Sequence, residues 1–350
     1  MQTIRDKAKE RMKGSCRVCP VCDGRACAGE VPGMGGLGSG TSFKNNVRAL
    51  AALNINMSLI HEVKEPSTAI AWLGLNLSMP ITASPIGGMF NFREAVSEEA
   101  YVASVLDGCL ASGTIGCTGD GPAPAIFASA LVAVKERQGR GIPFIKPWEN
   151  KELDEKIDLA LEAGCGILGM DIDAAGLVTL RKMGRPVAPR PVRDLEKIIR
   201  NVHGKGGRFI LKGIMTPADA LSALEAGADG IVVSNHGGRV LDYTPGTAEV
   251  LPEIARAVKG RLSIMLDGGV RTGSDVFKML ASGADIVGVG RPISIAAIGG
   301  ESEGVRICLE TMRNELAQVM LMTGCPNLAS ITEKALYRPG NLGAAFANIR

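Results

Sequence analysis

Eight short apolar runs recur along the chain, and several of the longer segments between them are amphipathic with a helical period. The runs cover residues 79–84, 113–118, 142–147, 165–171, 209–212, 230–234, 263–267 and 286–290. The amphipathic segments include 151–163, 192–202, 217–226, 250–258 and 274–281. Short strands that are buried on both faces and alternate with helices are typical of parallel β/α units. The pattern therefore predicts an α/β protein built as a closed (β/α)8 barrel, a TIM barrel.

Polar residues and glycines gather where the predicted strands end. In a barrel of this kind the active site forms at the carboxyl ends of the strands. The residues at or just after those ends include Ser84, Pro85, Thr118, Lys146, Asp171, Lys212, Ser234, His236, Asp267, Gly269, Gly290 and Arg291. An open, doubly wound sheet is the alternative fold. It would need fewer parallel strands and usually has a glycine fingerprint at the first turn, which the sequence ASPIGGM does not supply.

The stretch SNHGGRVLD places one of the three histidines directly after the sixth predicted strand. His236 and Arg239 would project into the barrel mouth, where two glycines let the backbone turn close to a ligand. In the alternative interpretation, His236 caps a turn and Arg239 pairs with Asp242 on the surface. The position at a strand end, and Lys212 one unit earlier, favour a base and a cation in one site.

Four segments carry a family resemblance: ILKGIMTPADA, DGIVVSNHGGRVLD, LDGGVRTGSDVFKMLASGAD and VGRP. In this order and spacing they resemble the FMN-dependent α-hydroxy acid oxidases and dehydrogenases, and the similarity runs from about residue 41 to residue 324. The resemblance implies a TIM-barrel flavoprotein that oxidises a 2-hydroxy acid or a related small substrate, expected to be a carboxylate.

The resemblance also implies roles for single residues. His236 would take a proton from the substrate while two electrons pass to the flavin, and Asp171 would orient and charge-stabilise His236. Arg239 would hold the substrate carboxylate, and Lys212 would stabilise the charge of the reduced flavin. A phosphate cradle is implied for Gly269, Arg271, Gly290 and Arg291, ribityl contacts for Ser234 and Asp267, and further cofactor contacts for Ser84, Pro85, Thr118, Lys146 and Lys212.

Several family features are missing from this chain. The amino-terminal tyrosine has no counterpart, Lys146-Pro147-Trp148 stands where the family has glutamine, any residue and tyrosine, and DIDAAGLVTL lacks the family's arginine. The long lid after the fourth strand is cut to roughly residues 174–192. These departures leave the substrate open. Lys146 would either replace part of the lost charge or lie over the flavin.

Four of the nine cysteines are clustered near the amino terminus. Cys16, Cys19, Cys22 and Cys27 are separated by two, two and four residues, close enough for four thiolates to share one metal centre. The spacing predicts an iron–sulfur cluster rather than zinc, which would give electrons an exit to an acceptor protein and make the enzyme a dehydrogenase. The alternative is four free thiols on a flexible arm.

The clustered cysteines and a glycine-rich stretch, residues 33–40, define a predicted amino-terminal extension of residues 1–45 before an FMN-binding barrel of residues 46–350. The glycines would form either a linker or a loop across the barrel mouth.

Composition restricts the partners. The 350 residues are 46% hydrophobic and 21% charged, with a net charge of +3 spread along the chain. We therefore expect no nucleic-acid or membrane partner. The sequence shows no secretion signal, and the other five cysteines stand singly among apolar or small residues. A cytoplasmic homo-oligomer is expected.

Two further functions remain open at the level of sequence. One is a non-redox FMN isomerase resembling type 2 isopentenyl diphosphate isomerase, and the other is a flavin- and metal-binding redox relay. The set of His236, Arg239 and Lys212 favours the oxidoreductase, because a relay needs no base and a diphosphate substrate would need more basic residues at the mouth.

Overall fold

The structure is a computed structural model that describes residues 1–89, 95–185 and 187–337. The end of the predicted barrel domain, 338–350, lies outside the described residues. The described α-helices, α1 to α11, are Gln2–Arg11, Thr41–Ala52, Glu98–Ala111, Pro124–Glu136, Asn150–Glu162, Val178–Lys182, Val192–Gly204, Pro217–Glu225, Thr247–Val258, Gly273–Ala281 and Arg291–Met322. The described strands, β1 to β12, are Asn54–Ile55, Ile70–Trp72, Leu75–Leu77, Ile81–Ala83, Cys117–Thr118, Ile142–Ile145, Ile167–Asp171, Arg208–Ile214, Gly230–Val233, Ser263–Leu266, Ile286–Val289 and Leu336–Tyr337.

Eight parallel strands form the barrel and confirm the predicted fold. Their order around the sheet is β4-β11-β10-β9-β8-β7-β6-β5, and a single parallel bridge between Ala83 and Gly116 joins the two ends. Seven of the predicted apolar runs contain one of these strands, and the run 209–212 lies inside the longer strand β8. The runs are apolar throughout because helices cover the outside of the barrel while side chains fill its inside.

Two apolar clusters stabilise the barrel. The inner cluster contains the inward side chains of the strands, among them Phe144, Ile210 and Met265, and is closed at the bottom by Trp72 from the β2–β3 hairpin. The larger outer cluster lies between the strands and the surrounding helices. The inside is therefore a packed core, and space for a ligand remains at the carboxyl ends of the strands.

The amino-terminal extension packs on the barrel. Helix α1 lies against α11, where the Arg11 guanidinium donates to the Ile298 carbonyl at 2.8 Å. Helix α2 packs on α9, and because α2 begins at Thr41 the predicted division at residues 45/46 falls inside a helix. The glycine-rich stretch lies at the barrel mouth, since the Leu37 amide donates to the Gly238 carbonyl at 2.8 Å.

Among the described helices, none is both long enough and apolar enough to cross a membrane.

Candidate functional site

A large cavity opens at the carboxyl ends of the barrel strands. It holds about 1120 Å³, including its opening to solvent. The predicted site residues that line it are Ser84, Pro85, Lys146, Asp171, Lys212, His236, Arg239, Asp267, Gly269, Arg271, Gly290 and Arg291. Residues far apart along the chain meet here because the ends of parallel strands converge at one rim.

Two predicted cofactor contacts lie outside this lining. Ser234 is fully buried, and its hydroxyl donates to Asp267 Oδ1 at 2.6 Å. Thr118 is 2% exposed, and its hydroxyl has no hydrogen-bond partner among the described residues. Ser234 instead supports the wall of the cavity through Asp267, and it also accepts a hydrogen bond from the His236 amide at 3.1 Å.

The carboxylate within hydrogen-bond distance of His236 is Asp173, whereas the resemblance implied Asp171 as the residue that orients and charge-stabilises His236. His236 Nδ1 lies 3.1 and 3.2 Å from the two carboxylate oxygens of Asp173. Strand β7 ends at Asp171, and a short 3₁₀ helix, Ile172–Gly176, then carries Asp173 toward β8. Gly213 makes this approach possible, because a Cβ at that position would lie 2.6 Å from the Asp173 Cβ.

Asp171 pairs with two lysines instead. Its carboxylate accepts a hydrogen bond from Lys146 Nζ at 2.8 Å, and Lys212 Nζ lies 3.1 Å away as an ion pair without hydrogen-bond alignment. Burial by itself would raise the pKa of Asp171, but the two ammonium groups outweigh burial and hold that pKa below its ordinary value. The pKa of Lys212 lies above its ordinary value. Burial lowers this pKa, but the carboxylates of Asp171 and Asp173 raise it by more.

The environment keeps His236 neutral near neutral pH. Burial lowers the pKa of His236, the Lys212 ammonium at 3.3 Å lowers it further, and the Asp173 carboxylate opposes both. Donation from Nδ1 to Asp173 is the arrangement that satisfies the carboxylate, and it leaves the lone pair on Nε2. A neutral imidazole with a free lone pair can accept a proton from a bound molecule.

Arg239 lines the same cavity without a protein partner. Among the described residues it makes no hydrogen bond or ion pair, and its buried Nε is unsatisfied. Asp242, the alternative partner, accepts instead from the Ser39 amide at 2.6 Å and the Ser39 hydroxyl at 2.7 Å. Burial lowers the pKa of Arg239, as expected for a cation without a counter-charge. An anionic ligand would supply that charge.

The turn after β9 requires its glycines. His236, Gly237 and Gly238 all have positive φ, at 57°, 64° and 80°. A Cβ on Gly238 would lie 2.4 Å from the Phe43 amide nitrogen, so α2 can approach the turn only where residue 238 has no side chain. The turn holds His236 at the rim of the cavity and Arg239 beside it.

The predicted phosphate cradle has the expected free backbone amides, but its two arginines bind carbonyl groups of the amino-terminal extension. The amides of Gly269 and Gly290 make no hydrogen bond within the described part of the chain, and α11 begins at Arg291 with its first amides free. The Arg291 guanidinium, however, donates to the Met34 carbonyl at 2.8 Å, and that of Arg271 donates to the Cys22 carbonyl at 3.1 Å.

FMN fits these residues. Free backbone amides at a helix start suit its phosphate, and the unsatisfied Ser84 hydroxyl and Arg271 Nε at the cavity edge are donors without a protein acceptor. The cavity volume suits a cofactor together with a small substrate. Lys146 was expected either to replace part of the lost positive charge or to lie over the flavin. In the structure its ammonium is buried at the cavity wall and bound to Asp171.

Asp120 is a site residue that sequence reasoning missed. It lines the cavity at the end of β5 and accepts from Lys156 Nζ at 2.8 Å and from the Trp148 indole at 2.6 Å. The Lys146 amide also donates to it at 3.1 Å. Asp120 therefore anchors the segment that replaces the family's glutamine and tyrosine. Its position two residues past the second predicted strand was the available signal.

The four clustered cysteines surround a second cavity. Cys16, Cys19, Cys22 and Cys27 are all half-buried and line it together. Within the described ranges, one group of three potential metal ligands has all its ligand atoms within 4.8 Å of one another, and it consists of Asp171, Asp173 and His236. Lys146 and Lys212 already neutralise the carboxylates of that group. Metal binding by the cysteines stays a prediction.

The chain is similar to known FMN-dependent dehydrogenases over most of its length. The family model for FMN-dependent dehydrogenase matches residues 33–182 and 189–338. L-lactate oxidase of Lactobacillus jensenii is 32% identical over 327 residues, which covers 83% of this chain and 76% of that protein. A peroxisomal (S)-2-hydroxyacid oxidase of Arabidopsis thaliana is 50% identical over 124 residues, but the match covers 35% of this chain and 34% of that relative's length.

Solved structures show the same architecture. A lactate oxidase of Pediococcus acidilactici superimposes with a TM-score of 0.77 at 24% identity, covering 96% of this chain and 93% of that chain. A mandelate oxidase in complex with 2-hydroxy-phenylacetamide superimposes with a TM-score of 0.76 at 26% identity, covering 96% and 97%. The family match extends over most of the chain and includes the barrel rim that carries His236, Arg239 and Lys212. The chain therefore belongs to the FMN-dependent dehydrogenase family.

Proposed function

We propose that this protein oxidises a 2-hydroxy acid to the corresponding 2-oxo acid, with FMN bound in the barrel-mouth cavity. The observation that carries the proposal is the juxtaposition of a neutral, carboxylate-oriented His236 with an unpartnered Arg239 in that cavity. A base and a free cation together match a substrate that has a hydroxyl proton and a carboxylate on adjacent carbons. When bound, FMN would supply the acceptor for the α-hydrogen of the substrate together with the two electrons of its C–H bond.

His236 takes the proton of the substrate hydroxyl at Nε2. Asp173 holds Nδ1 and stabilises the imidazolium that forms, because its charge lies 3.1 Å from that nitrogen. The low pKa of free His236 keeps the base unprotonated before the substrate arrives. The Lys212 ammonium lies 3.3 Å from Nδ1. Its positive charge opposes the effect of Asp173 and disfavours protonation of His236 in the resting enzyme.

Arg239 binds the substrate carboxylate. A planar guanidinium can donate two parallel hydrogen bonds and so orients the substrate as well as attracting it. The walls of the same cavity also carry apolar side chains, namely those of Ile86, Ile126, Leu177 and Leu180. These side chains favour a substrate whose third substituent is apolar over glycolate, which has only hydrogen there.

The isomerase alternative fits this cavity less well. A diphosphate carries several negative charges, whereas Lys146 and Lys212 share Asp171 and Arg291 is bound to carbonyls of the amino-terminal extension. Among the cationic side chains that line the cavity within the described residues, Arg239 is the one that has no partner. The charge balance therefore favours a substrate with one carboxylate.

The test is an anaerobic titration of the purified holoenzyme. L-lactate, L-2-hydroxy-4-methylpentanoate and glycolate are added in turn, and loss of the absorbance of oxidised flavin is followed. We expect bleaching, fastest with the branched acid, and a rate at least about a hundredfold lower in His236→Asn. His203→Asn is the matched control, because His203 lies on the outside of the barrel, paired with Asp229. The proposal fails if none of these acids bleaches the flavin, or if His236→Asn bleaches at the wild-type rate.

A further inference from the structure

The amino-terminal extension builds a second site beside the flavin cavity. Cys16, Cys19, Cys22 and Cys27 line one cavity of about 420 Å³, including its opening, on a segment with little regular structure. None of the nine cysteines forms a disulfide. Four thiols that meet around one space, on a loop held by few buried apolar side chains, are the arrangement of a metal-binding loop.

Hydrogen-bond donors are aimed at two of the sulfurs. The Val18 amide lies 3.4 Å from Cys16 Sγ, and Arg271 Nη2 lies 3.4 Å from Cys22 Sγ. Val18 adopts a φ of 46°, a left-handed conformation that is unfavourable for a β-branched residue. The strained backbone turns the amide back onto the sulfur. Donors of this kind stabilise the negative charge of metal-bound thiolates.

Positive charge lies on the inner side of the cysteine cavity. The Arg291 guanidinium lines it and stacks on Phe43, 3.7 Å from the ring centre, and the Arg271 guanidinium lies on the same ring at 5.9 Å. The protein environment alone does not ionise the cysteines, since burial raises the pKa of the Cys16 and Cys27 thiols. The two arginines would compensate four thiolates once a metal has displaced their protons.

The four sulfurs are not gathered as tightly as the ligands of a single zinc ion. Four thiolates around one zinc ion, with bonds of about 2.3 Å, lie about 3.8 Å from one another. In the part of the chain that the structure describes, no three of these sulfurs come within 4.8 Å of each other. A centre in which several irons are bridged by sulfide holds its thiolates farther apart and occupies more of the cavity.

From these contacts we propose that Cys16, Cys19, Cys22 and Cys27 bind an iron–sulfur cluster. Met34 and Arg291 line both this cavity and the barrel-mouth cavity, so the cluster is separated from the flavin site by a wall of those side chains. The inference concerns the metal site and does not rest on the proposed oxidation of a 2-hydroxy acid.

The experiment measures iron, acid-labile sulfide and zinc per chain in the full-length holoenzyme, expressed with ample iron and zinc and purified without oxygen. We expect iron and sulfide in the wild type and their loss in the double variant Cys19→Ser, Cys27→Ser, with FMN retained. Cys325→Ser is the matched control and should keep both, since Cys325 lines neither the cysteine cavity nor the barrel-mouth cavity. Wild-type protein with zinc but no sulfide, or with neither metal, overturns the proposal, as does a double variant that keeps its iron.

A second measurement needs no variant. The wild-type protein is alkylated with iodoacetamide without oxygen, before and after iron is removed with a chelator and an oxidant and the cysteines are reduced again. The labelled peptides are identified by mass spectrometry. A cluster protects the four cysteines before removal and exposes them afterwards. Full labelling of these cysteines in the protein as isolated would contradict the proposal even if the double variant did not fold.

Discussion

Replacing Asp173 by asparagine tests how His236 is held as a base. Activity requires neutral His236, so it falls as the pH drops through the pKa of that residue. Burial and Lys212 lower this pKa, and the Asp173 carboxylate opposes them. Asp173→Asn removes the opposing charge while the amide oxygen can still accept from Nδ1. The pKa of His236 then falls further, and the acid limb of kcat/KM moves to lower pH.

The size of the shift follows from the geometry. Two unit charges 3.1 Å apart interact by about 5 kcal/mol at an effective dielectric constant of about 20. Lys212 lies 3.8 Å from Asp173 and already neutralises part of that charge, so the full value is an upper bound. Opposite charges at this range typically shift a pKa by about 1–3 units, and we expect about 1–2 here. Without the Asp173 charge, His236 is a weaker base and the imidazolium that forms during the reaction is less stabilised. At pH values above the acid limb, kcat/KM should therefore fall by between about tenfold and a hundredfold.

The assay is the pH profile of kcat/KM for the wild type, Asp173→Asn and Asp171→Asn. Asp171→Asn is the comparison variant, because the Asp171 carboxylate also raises the pKa of His236 but makes its own close contacts with Lys146 and Lys212 and not with His236 Nδ1. It should lower the free energy of unfolding by about 3–5 kcal/mol, since two buried ammonium groups lose a counter-charge, and move the acid limb less. An unchanged limb and near-normal turnover in Asp173→Asn, with a shifted limb in Asp171→Asn, would refute the assignment of Asp173.

Three further predictions concern the carboxylate clamp, the histidine turn and the buried anchor of the cavity wall. Arg239→Lys should raise KM by about tenfold or more and change kcat less, because a point charge cannot replace a bidentate donor, and steady-state kinetics would reveal a role outside binding if KM did not rise. Gly238→Ala should lower the free energy of unfolding by about 1–3 kcal/mol, whereas Gly184→Ala, also at positive φ but with open space around it, should cost less. Equal losses in denaturant titrations would exclude the steric explanation. Lys156→Met should leave Asp120 buried without its 2.8 Å ion pair and cost about 3 kcal/mol or more, and an unchanged Tm would show that this pair contributes nothing.

The sequence by itself determined the architecture and most of the charged side chains that line the cavity. Apolar runs separated by amphipathic segments predict parallel strands that alternate with helices, and the carboxyl ends of such strands must meet at one rim. Polar residues at those ends therefore identify the cavity without coordinates. His236, Lys212 and Arg239 were found in this way, and the structure places all three on one cavity.

The tertiary structure decided which side chains touch. The resemblance implied Asp171 as the partner of His236, but a 3₁₀ turn after β7 together with the missing side chain of Gly213 brings Asp173 into hydrogen-bond distance. Arg291 looks like a phosphate ligand in the sequence, yet in the structure it binds the Met34 carbonyl of the extension. Contacts of this kind depend on the path of segments far apart along the chain, and local patterns of polar and apolar residues carry no information about that path.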